Sequence, residues 1–278
     1  MSANLSNLLS SLTTGQQTTV DYLAGVDRNG AVLTTPATSW DQYAANTSSP
    51  ATNPDVFAFG SGAVVTVGFY GTGAEAFTPT EETYAWQALS LWSSETGVSF
   101  KYVSDPSKAQ VNFVHSTDKY GTFKTKSDTG TYWQSTGGAP SGTAGLERTT
   151  GGFINYDRSF GDITSYTVTS GYGIDTVVHE IGHLIGLGHA GPYNKTVDAS
   201  KQQRSETDDT TWTVMSYVTP ADNQIPNPAN PAGPGLPVTQ AYQPTATDAD
   251  YGASWAGTNK KPYTPMGLDI FAAQRLDG

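Results

Sequence analysis

Four residues between positions 179 and 189 combine the side chains that a catalytic metal site needs. The run reads His-Glu-Ile-Gly-His-Leu-Ile-Gly-Leu-Gly-His and contains three of the chain's four histidines. His179 and His183 are four residues apart, so on a helix they lie one turn apart on the same side. With His189 they make three neutral imidazoles, the ligand set of a tetrahedral zinc site whose fourth position is open to water. Glu180 stands beside the first ligand and is placed to take a proton from that water.

The residues around the histidines predict the elements that must position them. At about 100° per residue, the apolar side chains share one face and leave His179 and His183 on the other, towards a cleft. That apolar face consists of Val177, Val178, Ile181, Leu184 and Ile185. Asp175 is the expected N-cap, and Gly186 is expected to end the helix because glycine enters the left-handed conformation without a steric penalty. The chain can then turn back and present His189 from a loop.

Two other interpretations of these residues stand beside the catalytic one. The histidine pair could belong to the exposed face of an ordinary helix, or the zinc could be purely structural. A structural site is usually closed by a fourth Cys or His ligand, and the chain has no cysteine. The remaining histidine, His115, follows the strand-like run 111–114. We interpret it as a strand-end histidine, with a metal contact as the less favoured alternative.

The composition argues against several classes of partner. The net charge is −11 and the pI is near 4.6, yet only 14% of the residues are charged. Such a surface disfavours nucleic acid and anionic membranes as partners. The chain has no apolar run of about 18 residues, so membrane insertion is not expected. The first residues lack the basic and apolar regions of a secretory signal, so an exported chain would need another route.

Upstream of the motif, the pattern of apolar residues predicts an α/β layer. Strands are expected at 63–70, 98–103, 111–115, near 131–133 and at 152–156. A helix capped by Thr80, with Glu81 and Glu82 in its first turn, is expected between the first two strands. This order of elements predicts a sheet with a helix packed behind it.

The two ends and one long segment are organised differently. Residues 1–20 predict an N-terminal amphipathic helix, with a short propeptide as the less favoured interpretation, because their leucines repeat with helical spacing. These leucines are Leu5, Leu8, Leu9 and Leu12. Residues 219–262 are rich in proline and predict an extended loop, which either lines the cleft or is a mobile surface insertion. A last helix is expected at 268–276.

Further stretches complete a resemblance to a known family. The spacing His-Glu-x-x-His-x-x-Gly-x-x-His followed by a methionine turn is the metzincin signature, and the turn here is Val214-Met215-Ser216-Tyr217. Gly191 and Tyr193-Asn194 follow the motif, and Asp269-Ile270-x-Ala272-x-Gln274-x-Leu276 lies in the last helix. With these pieces, residues 175–278 resemble the serralysins, secreted bacterial zinc endopeptidases of the metzincin clan.

The resemblance implies a fold and a set of roles. One catalytic domain would run from residue 21 to 278, with a twisted, five-stranded, mostly parallel sheet. Its upper subdomain would end near residue 189, and its irregular lower subdomain would cover 190–278. Met215 would form an apolar floor beneath the zinc, and Tyr217 would be a fifth zinc ligand at rest that later hydrogen-bonds the oxyanion. The implied activity is hydrolysis of peptide bonds by zinc-activated water, with Glu180 as general base.

The resemblance also implies how a substrate binds. In metzincins a peptide adds as an antiparallel strand to an edge of the sheet, which here implies an edge within 131–138 and contacts from Tyr132 and Trp133. Because few charges lie nearby, we expect broad cleavage next to hydrophobic or small residues of protein substrates. The alternative function is a zinc-containing surface-binding module without turnover. Glu180 and Tyr217 argue against that alternative, because a binding module needs no base.

The chain departs from the serralysin pattern at two points. Ala190, rather than proline, follows the third histidine, and the calcium-binding Gly-Gly-x-Gly-x-Asp repeats of the family do not occur. We therefore expect either a catalytic domain cut from a longer protein or a minimal relative, with zinc as the only metal required for activity. The leucine face of residues 1–20 would be what packs against a missing C-terminal repeat domain. Secretion without an N-terminal signal is also expected.

Overall fold

The computed structural model describes residues 11–26, 29, 56–71, 73, 76–115, 130–135, 146–156, 173–191, 193, 197–219, 253–254 and 261–277. Within these ranges the α-helices are α1 Thr14–Ala24, α2 Pro79–Glu95, α3 Ile174–Leu184, α4 Ala199–Gln202 and α5 Gly267–Asp277. The strands are β1 Val56–Ala58, β2 Val64–Tyr70, β3 Ser99–Tyr102, β4 Val111–His115, β5 Gly130–Ser135, β6 Leu146–Tyr156, β7 Ala253–Ser254 and β8 Lys261–Pro262. A short 3-10 helix covers Pro106–Lys108.

The first six strands form one mostly parallel sheet. Its order is β1-β6-β4-β2-β3, and each pair along this path is parallel. β5 pairs with β6 in the antiparallel direction. The α/β class and the mostly parallel sheet are therefore confirmed, and all five strands expected from the sequence are present. The count of five is not confirmed, because β1 adds a sixth strand that the sequence does not predict. Three residues are too few for an alternating pattern to show.

Helix α2 connects two parallel neighbours in the sheet. A tight turn cannot join parallel strands, and α2 makes the crossover from β2 to β3. Its first turn is a capping box: Thr78 Oγ1 accepts from the Glu81 N–H at 3.2 Å, and the Glu81 carboxylate accepts from the Thr78 N–H at 2.7 Å. The cap is therefore Thr78 rather than the expected Thr80. Pro79 fills the first helical position, where the missing N–H leaves no bond unmade.

One hydrophobic core joins the sheet to the longer helices in the described part of the chain. Val67 and Phe113 on the sheet are fully buried, as are Leu89 and Trp92 on α2. The same cluster includes apolar side chains of α1, α3 and α5. The metal-site motif in α3 is thus part of a helix held against the sheet, not a free surface element.

Helices α1 and α5 bring the two ends of the described chain together. They pack against each other, and the Arg275 guanidinium is paired with the Asp21 carboxylate. Thr13 caps α1 in a capping box with Gln16. This helix crosses the boundary that the sequence suggests between residues 20 and 21. Of the amphipathic leucines, Leu12 is partly buried against the core, and Leu5, Leu8 and Leu9 lie outside the described residues.

The long proline-containing segment is described only at its end. Strands β7 and β8 form a two-stranded antiparallel ribbon, and most of 219–262 lies outside the described residues. The predicted last helix is confirmed as α5. Among the helices that the structure describes, none has the length and hydropathy needed to cross a membrane.

Candidate metal centre

Helix α3 carries the first two histidines on a firmly held scaffold. It begins at Ile174, two residues earlier than a cap at Asp175 would place it. The cap is Gly173. Its N–H donates at 3.2 Å to the carboxylate of Asp175, which lies in the first turn of the helix. Trp92 of α2 donates its indole N–H to the Val178 carbonyl at 2.9 Å. The helix is therefore fixed against α2 along the turn that leads to His179.

The end of α3 is the turn that the sequence predicts. Gly186 has a φ of 109°, in the region that favours glycine. Its N–H donates to the His183 carbonyl at 2.9 Å, and the Leu187 N–H donates to the Gly182 carbonyl at 2.9 Å. These two bonds are the Schellman arrangement that ends a helix and reverses the chain. The reversed loop, which presents His189, is tied to α1 because the Gly188 N–H donates to a carbonyl of that helix, 2.8 Å away.

The three histidines of the motif converge on one point. The Nε2 atom of His189 lies 3.3 Å from that of His179 and 3.2 Å from that of His183. Two ligands at about 2.0–2.1 Å from a tetrahedral ion lie roughly 3.3 Å apart. All three side chains are at most 8% exposed. The spacing is therefore the one that a tetrahedrally coordinated metal requires.

Hydrogen bonds to backbone carbonyls set which ring nitrogen carries the proton. His179 Nδ1 lies 2.8 Å from the Val214 carbonyl, and His183 Nδ1 lies 2.7 Å from the Leu187 carbonyl. A carbonyl only accepts, so each Nδ1 must be the protonated atom and each Nε2 keeps its lone pair. Burial and the neighbouring imidazoles hold the pKa values of His183 and His189 well below the usual value. The lowered pKa values favour neutral His183 and His189, and the Nε2 lone pairs of His179 and His183 remain free to bind a metal.

The methionine turn lies directly against α3. Met215 is fully buried, and a Cβ added at Gly182 would lie 2.5 Å from the Met215 Sδ atom and 3.1 Å from Cζ2 of Trp92. A larger residue at position 182 would force Met215 or Trp92 to shift, so glycine allows this close approach. Ala190, after the third histidine, donates its N–H to the Met215 carbonyl at 3.4 Å. The turn therefore contacts both the helix and the loop that carry the histidines.

Tyr217 lies beside two of the three histidines, and Glu180 follows the first of them in α3. The Tyr217 ring centroid is 4.5 Å from that of His189 and 5.6 Å from that of His179. This side chain is half-buried. Glu180, which follows His179 in α3, is 8% exposed. Tyr217 therefore packs against the cluster, and Glu180 is a largely buried residue next to His179 in the sequence.

A buried polar network behind Tyr217 was not foreseen from the sequence. The Tyr193 hydroxyl donates to the Asp208 carboxylate at 2.6 Å, and the Ser216 hydroxyl donates to the same carboxylate at 2.8 Å. The Tyr193 ring stacks on Tyr217 with centroids 5.4 Å apart. Burial raises the pKa of Asp208 to about 6, against the lowering effect of its hydrogen bonds. Asp208 lies in an irregular segment without periodicity, so the sequence carries no signal for its burial.

The remaining sequence candidates occupy different places. Tyr132 and Trp133 lie on β5, the antiparallel neighbour of β6, and α3 packs against β5. His115 ends β4, as expected of a strand-end histidine, and is not among the three converging histidines. Its Nδ1 lies 3.0 Å from the Tyr156 carbonyl, and its ring stacks on Phe77 with centroids 4.0 Å apart. The structure therefore explains His115 by packing.

Fold and site together define an α/β domain with a buried cluster of three histidines that could hold a metal ion. No protein-family model matches the chain. Over 151 residues, or 52% of the chain, it is 30% identical to Serralysin B of Dickeya chrysanthemi and 29% identical to a serralysin of Photorhabdus sp. (strain Az29). The match spans 29% and 28% of those proteins, so it covers less than a third of each relative's length.

Two solved structures of myroilysin are also similar to parts of the chain. Both have a TM-score of 0.30, with identities of 20% and 21%. The similar regions cover 55% and 48% of this chain and 54% and 46% of the myroilysin chains. The sequence match to serralysins, together with the three-histidine motif, supports a serralysin-type metzincin catalytic domain.

Proposed function

We propose that the chain is the catalytic part of a zinc endopeptidase, and the convergence of three imidazole Nε2 atoms carries the proposal. The Nε2 atoms of His179 and His183 carry lone pairs and lie 3.3 Å and 3.2 Å from His189 Nε2, which is the spacing of ligands around one cation. Three histidines without a thiolate are the ligand set of a catalytic zinc site, with the fourth position left for water. A structural site would need a further protein ligand, whereas the cluster in the described part of the chain consists of His179, His183 and His189.

Glu180 is the general base of the proposed reaction. When bound, zinc supplies Lewis acidity that lowers the pKa of a water to about 7. Glu180 takes a proton from the attacking water as the water oxygen bonds to the peptide carbon. It then gives that proton to the amine nitrogen as the C–N bond breaks. Its place beside His179, in a largely buried position, supports this role.

Tyr217 is the proposed donor to the oxyanion. A phenol aimed at the charge that develops on the carbonyl oxygen stabilises the transition state more than the ground state. The ring lies against two of the three histidines, which supports both this role and that of a fifth ligand at rest. Met215, in contact range of Gly182, is the proposed apolar floor of the site.

Protein and peptide chains are the proposed substrates. The antiparallel strand β5 lies next to α3, and a peptide could extend the sheet there through main-chain hydrogen bonds. Tyr132 and Trp133 on this strand are the proposed substrate contacts. As the resemblance to serralysins implies, we propose that the protein is secreted.

The proposal is tested by the variant Glu180→Ala with casein as substrate. We expect the variant to bind one zinc per chain, measured by atomic absorption, and to lose almost all turnover. Glu95→Ala, on α2, is the matched control and should cleave at the wild-type rate. Cleavage by Glu180→Ala at the wild-type rate would show that another group is the base. Zinc binding by the wild type without any cleavage would favour the binding-module alternative.

Metal removal gives a second test of the same proposal. Phenanthroline should abolish cleavage by the wild type, and added zinc should restore it. A calcium-selective chelator should leave cleavage unchanged, because zinc is the proposed metal of the reaction. Loss of cleavage with zinc still bound would contradict the proposal that zinc is the only metal required.

A further inference from the structure

We propose that Asp269, on the terminal helix α5, is a positioning residue that orients His179 in the metal site through the backbone of the methionine turn. The proposal rests on the metal site put forward above, but not on the peptidase activity. The Asp269 carboxylate is fully buried, and the residue is far in sequence from the histidine motif.

The Asp269 carboxylate accepts three hydrogen bonds. The Met266 N–H donates to Oδ2 at 2.9 Å. Met266 immediately precedes α5, so with this bond a carboxylate in the first turn caps its own helix. The other two donors belong to the methionine turn. The Val214 N–H donates to Oδ2 at 2.8 Å, and the Thr213 hydroxyl donates to Oδ1. Helix capping alone would explain only the first of these bonds.

The hydroxyl bond leads to the peptide group that holds His179. The single proton of the Thr213 hydroxyl points to Asp269, so the oxygen's lone pairs are free to accept the Met215 N–H, 3.0 Å away. That N–H shares its rigid peptide plane with the Val214 carbonyl. The carbonyl points the opposite way and accepts from His179 Nδ1 at 2.8 Å.

Orientation of His179 is therefore linked to a carboxylate outside the motif. The Val214–Met215 peptide is held at its N–H end by Thr213 and Asp269, and its carbonyl end determines the tautomer and the plane of the imidazole. Partners of this kind typically change metal affinity by about 10–100-fold when they are removed. Burial raises the pKa of Asp269 to about 7, although its hydrogen bonds act to lower it. Hydrogen bonds from protein groups, and not from water, hold the buried Asp269 carboxyl in place.

The test compares zinc binding in three variants. Asp269→Ala removes all three bonds, and we expect zinc affinity, measured by competition with a chromophoric chelator, to fall by about 10–100-fold. Thr213→Val keeps the cap on α5 and removes only the hydroxyl link, so we expect a smaller loss in the same direction. Asp269→Asn can still accept both backbone N–H bonds, and we expect it to stay within a few-fold of the wild type.

A matched control separates positioning from stability. Gln274→Ala removes a hydrogen bond from the same helix to the Glu95 carbonyl, 2.8 Å long, without touching the methionine turn. It should lower the thermal midpoint while leaving zinc affinity unchanged. The visible spectrum of the Co²⁺-substituted protein gives a second readout, and it should change in Thr213→Val but not in Gln274→Ala.

Wild-type zinc affinity in both Asp269→Ala and Thr213→Val would overturn the proposal and leave Asp269 as a helix cap. An equal loss in Gln274→Ala would also overturn it, because the effect would then follow general stability. If Asp269→Ala does not fold, Thr213→Val and Asp269→Asn decide the question. A wild type that binds zinc but cleaves nothing would contradict only the proposed function.

Discussion

Two buried carboxylates flank the methionine turn, and they hold it in different ways. Asp269 accepts the Val214 N–H and a hydroxyl that fixes the next peptide group, whose carbonyl faces His179. Asp208 accepts the hydroxyls of Tyr193 and Ser216, on the side where Tyr217 lies. The first carboxylate acts on backbone that faces His179, a proposed metal ligand. The second acts on side chains behind the proposed oxyanion donor.

This difference predicts that metal retention and turnover can be separated by mutation. Changes on the Asp269 side should weaken zinc binding. Changes on the Asp208 side should alter catalysis or stability while the three histidines still hold the metal. The separation is expected because the two carboxylates bond to different residues of 213–217. Asp269 accepts from Thr213 and Val214, and Asp208 accepts from Ser216.

The largest effect is expected from Tyr217→Phe. Removing one oxyanion donor lowers kcat by about 100–1,000-fold, because that hydrogen bond is strongest in the transition state. The three histidines are intact in this variant, so zinc affinity should change by less than about tenfold. Steady-state kinetics and chelator competition measure the two quantities. A variant that loses zinc as readily as Asp269→Ala would break the proposed separation between the two sides.

The next largest effect is expected on the pH dependence of the unfolding free energy, through Asp208. Its pKa is about 6 in the folded protein, against 3.8 for the free group, chiefly because of burial. Because the folded value is raised, the contribution of this group to stability is complete below pH 3.8 and is lost as the pH rises to about 6. The difference in unfolding free energy between the wild type and Asp208→Asn should therefore fall over this range, by on the order of 3 kcal/mol.

The pH experiment measures urea unfolding of the metal-free wild type and of metal-free Asp208→Asn. The histidines then contribute equally to the two unfolding free energies. Asp269→Asn provides the comparison, and its difference from the wild type should continue to change up to about pH 7. A flat difference for Asp208→Asn between pH 4 and 6 would show that the buried carboxyl is not perturbed.

Alanine substitutions at Gly191 and Gly182 test how tightly the chain packs near Asp208 and near Met215. A Cβ at Gly191 would overlap Tyr193 and lie 2.7 Å from Oδ2 of Asp208, whereas a Cβ at Gly182 would chiefly meet the flexible end of Met215. Both alanine variants should lose about 1–3 kcal/mol of unfolding free energy, with Gly191→Ala the more destabilised. Gly267→Ala is the control, because nothing lies within 4 Å of its added Cβ. A greater loss in Gly182→Ala would reverse the expected order.

The smallest effect is expected from Met215→Leu. The volume of the side chain is nearly conserved, so the unfolding free energy should fall by less than about 1.5 kcal/mol. Zinc affinity should be unchanged, because Met215 contributes its backbone N–H, and not its sulfur, to the link between Asp269 and His179. Thermal unfolding and chelator competition measure both. A tenfold loss of zinc affinity would assign the sulfur a direct part in holding the metal.

The site was largely predictable where its residues are local in sequence. The histidine spacing and Gly186 carry their own geometry, because helix pitch and the left-handed preference of glycine act over a few residues. The structure accordingly brings His179, His183 and His189 together. Apolar runs and alternating patterns likewise predicted five of the sheet's strands, because buried strands are continuously hydrophobic and half-buried strands alternate.

Predictions failed where two local signals compete. Thr78 and Thr80 are both acceptable caps, and Pro79 at the first helical position decides for Thr78. Asp175 resembles a cap, but it lies inside the first turn and accepts from the residue that is the cap. Such errors shift an element by one or two residues and leave the site unchanged.

The chain's sequence alone determined the three clustered histidines, the helix that carries two of them and the turn that delivers the third. Only the tertiary structure decided which distant groups hold that set in place. Asp208 carries no signal in the sequence, and Asp269 belongs to the serralysin-like pattern of the last helix without any sign of its partners. The burial of both depends on where an irregular segment and the last helix pack. The bonds of Asp269 to residues 213 and 214 span 56 and 55 positions. No periodicity reaches so far, because local patterns record the conformation of neighbouring residues and not the contacts between remote ones.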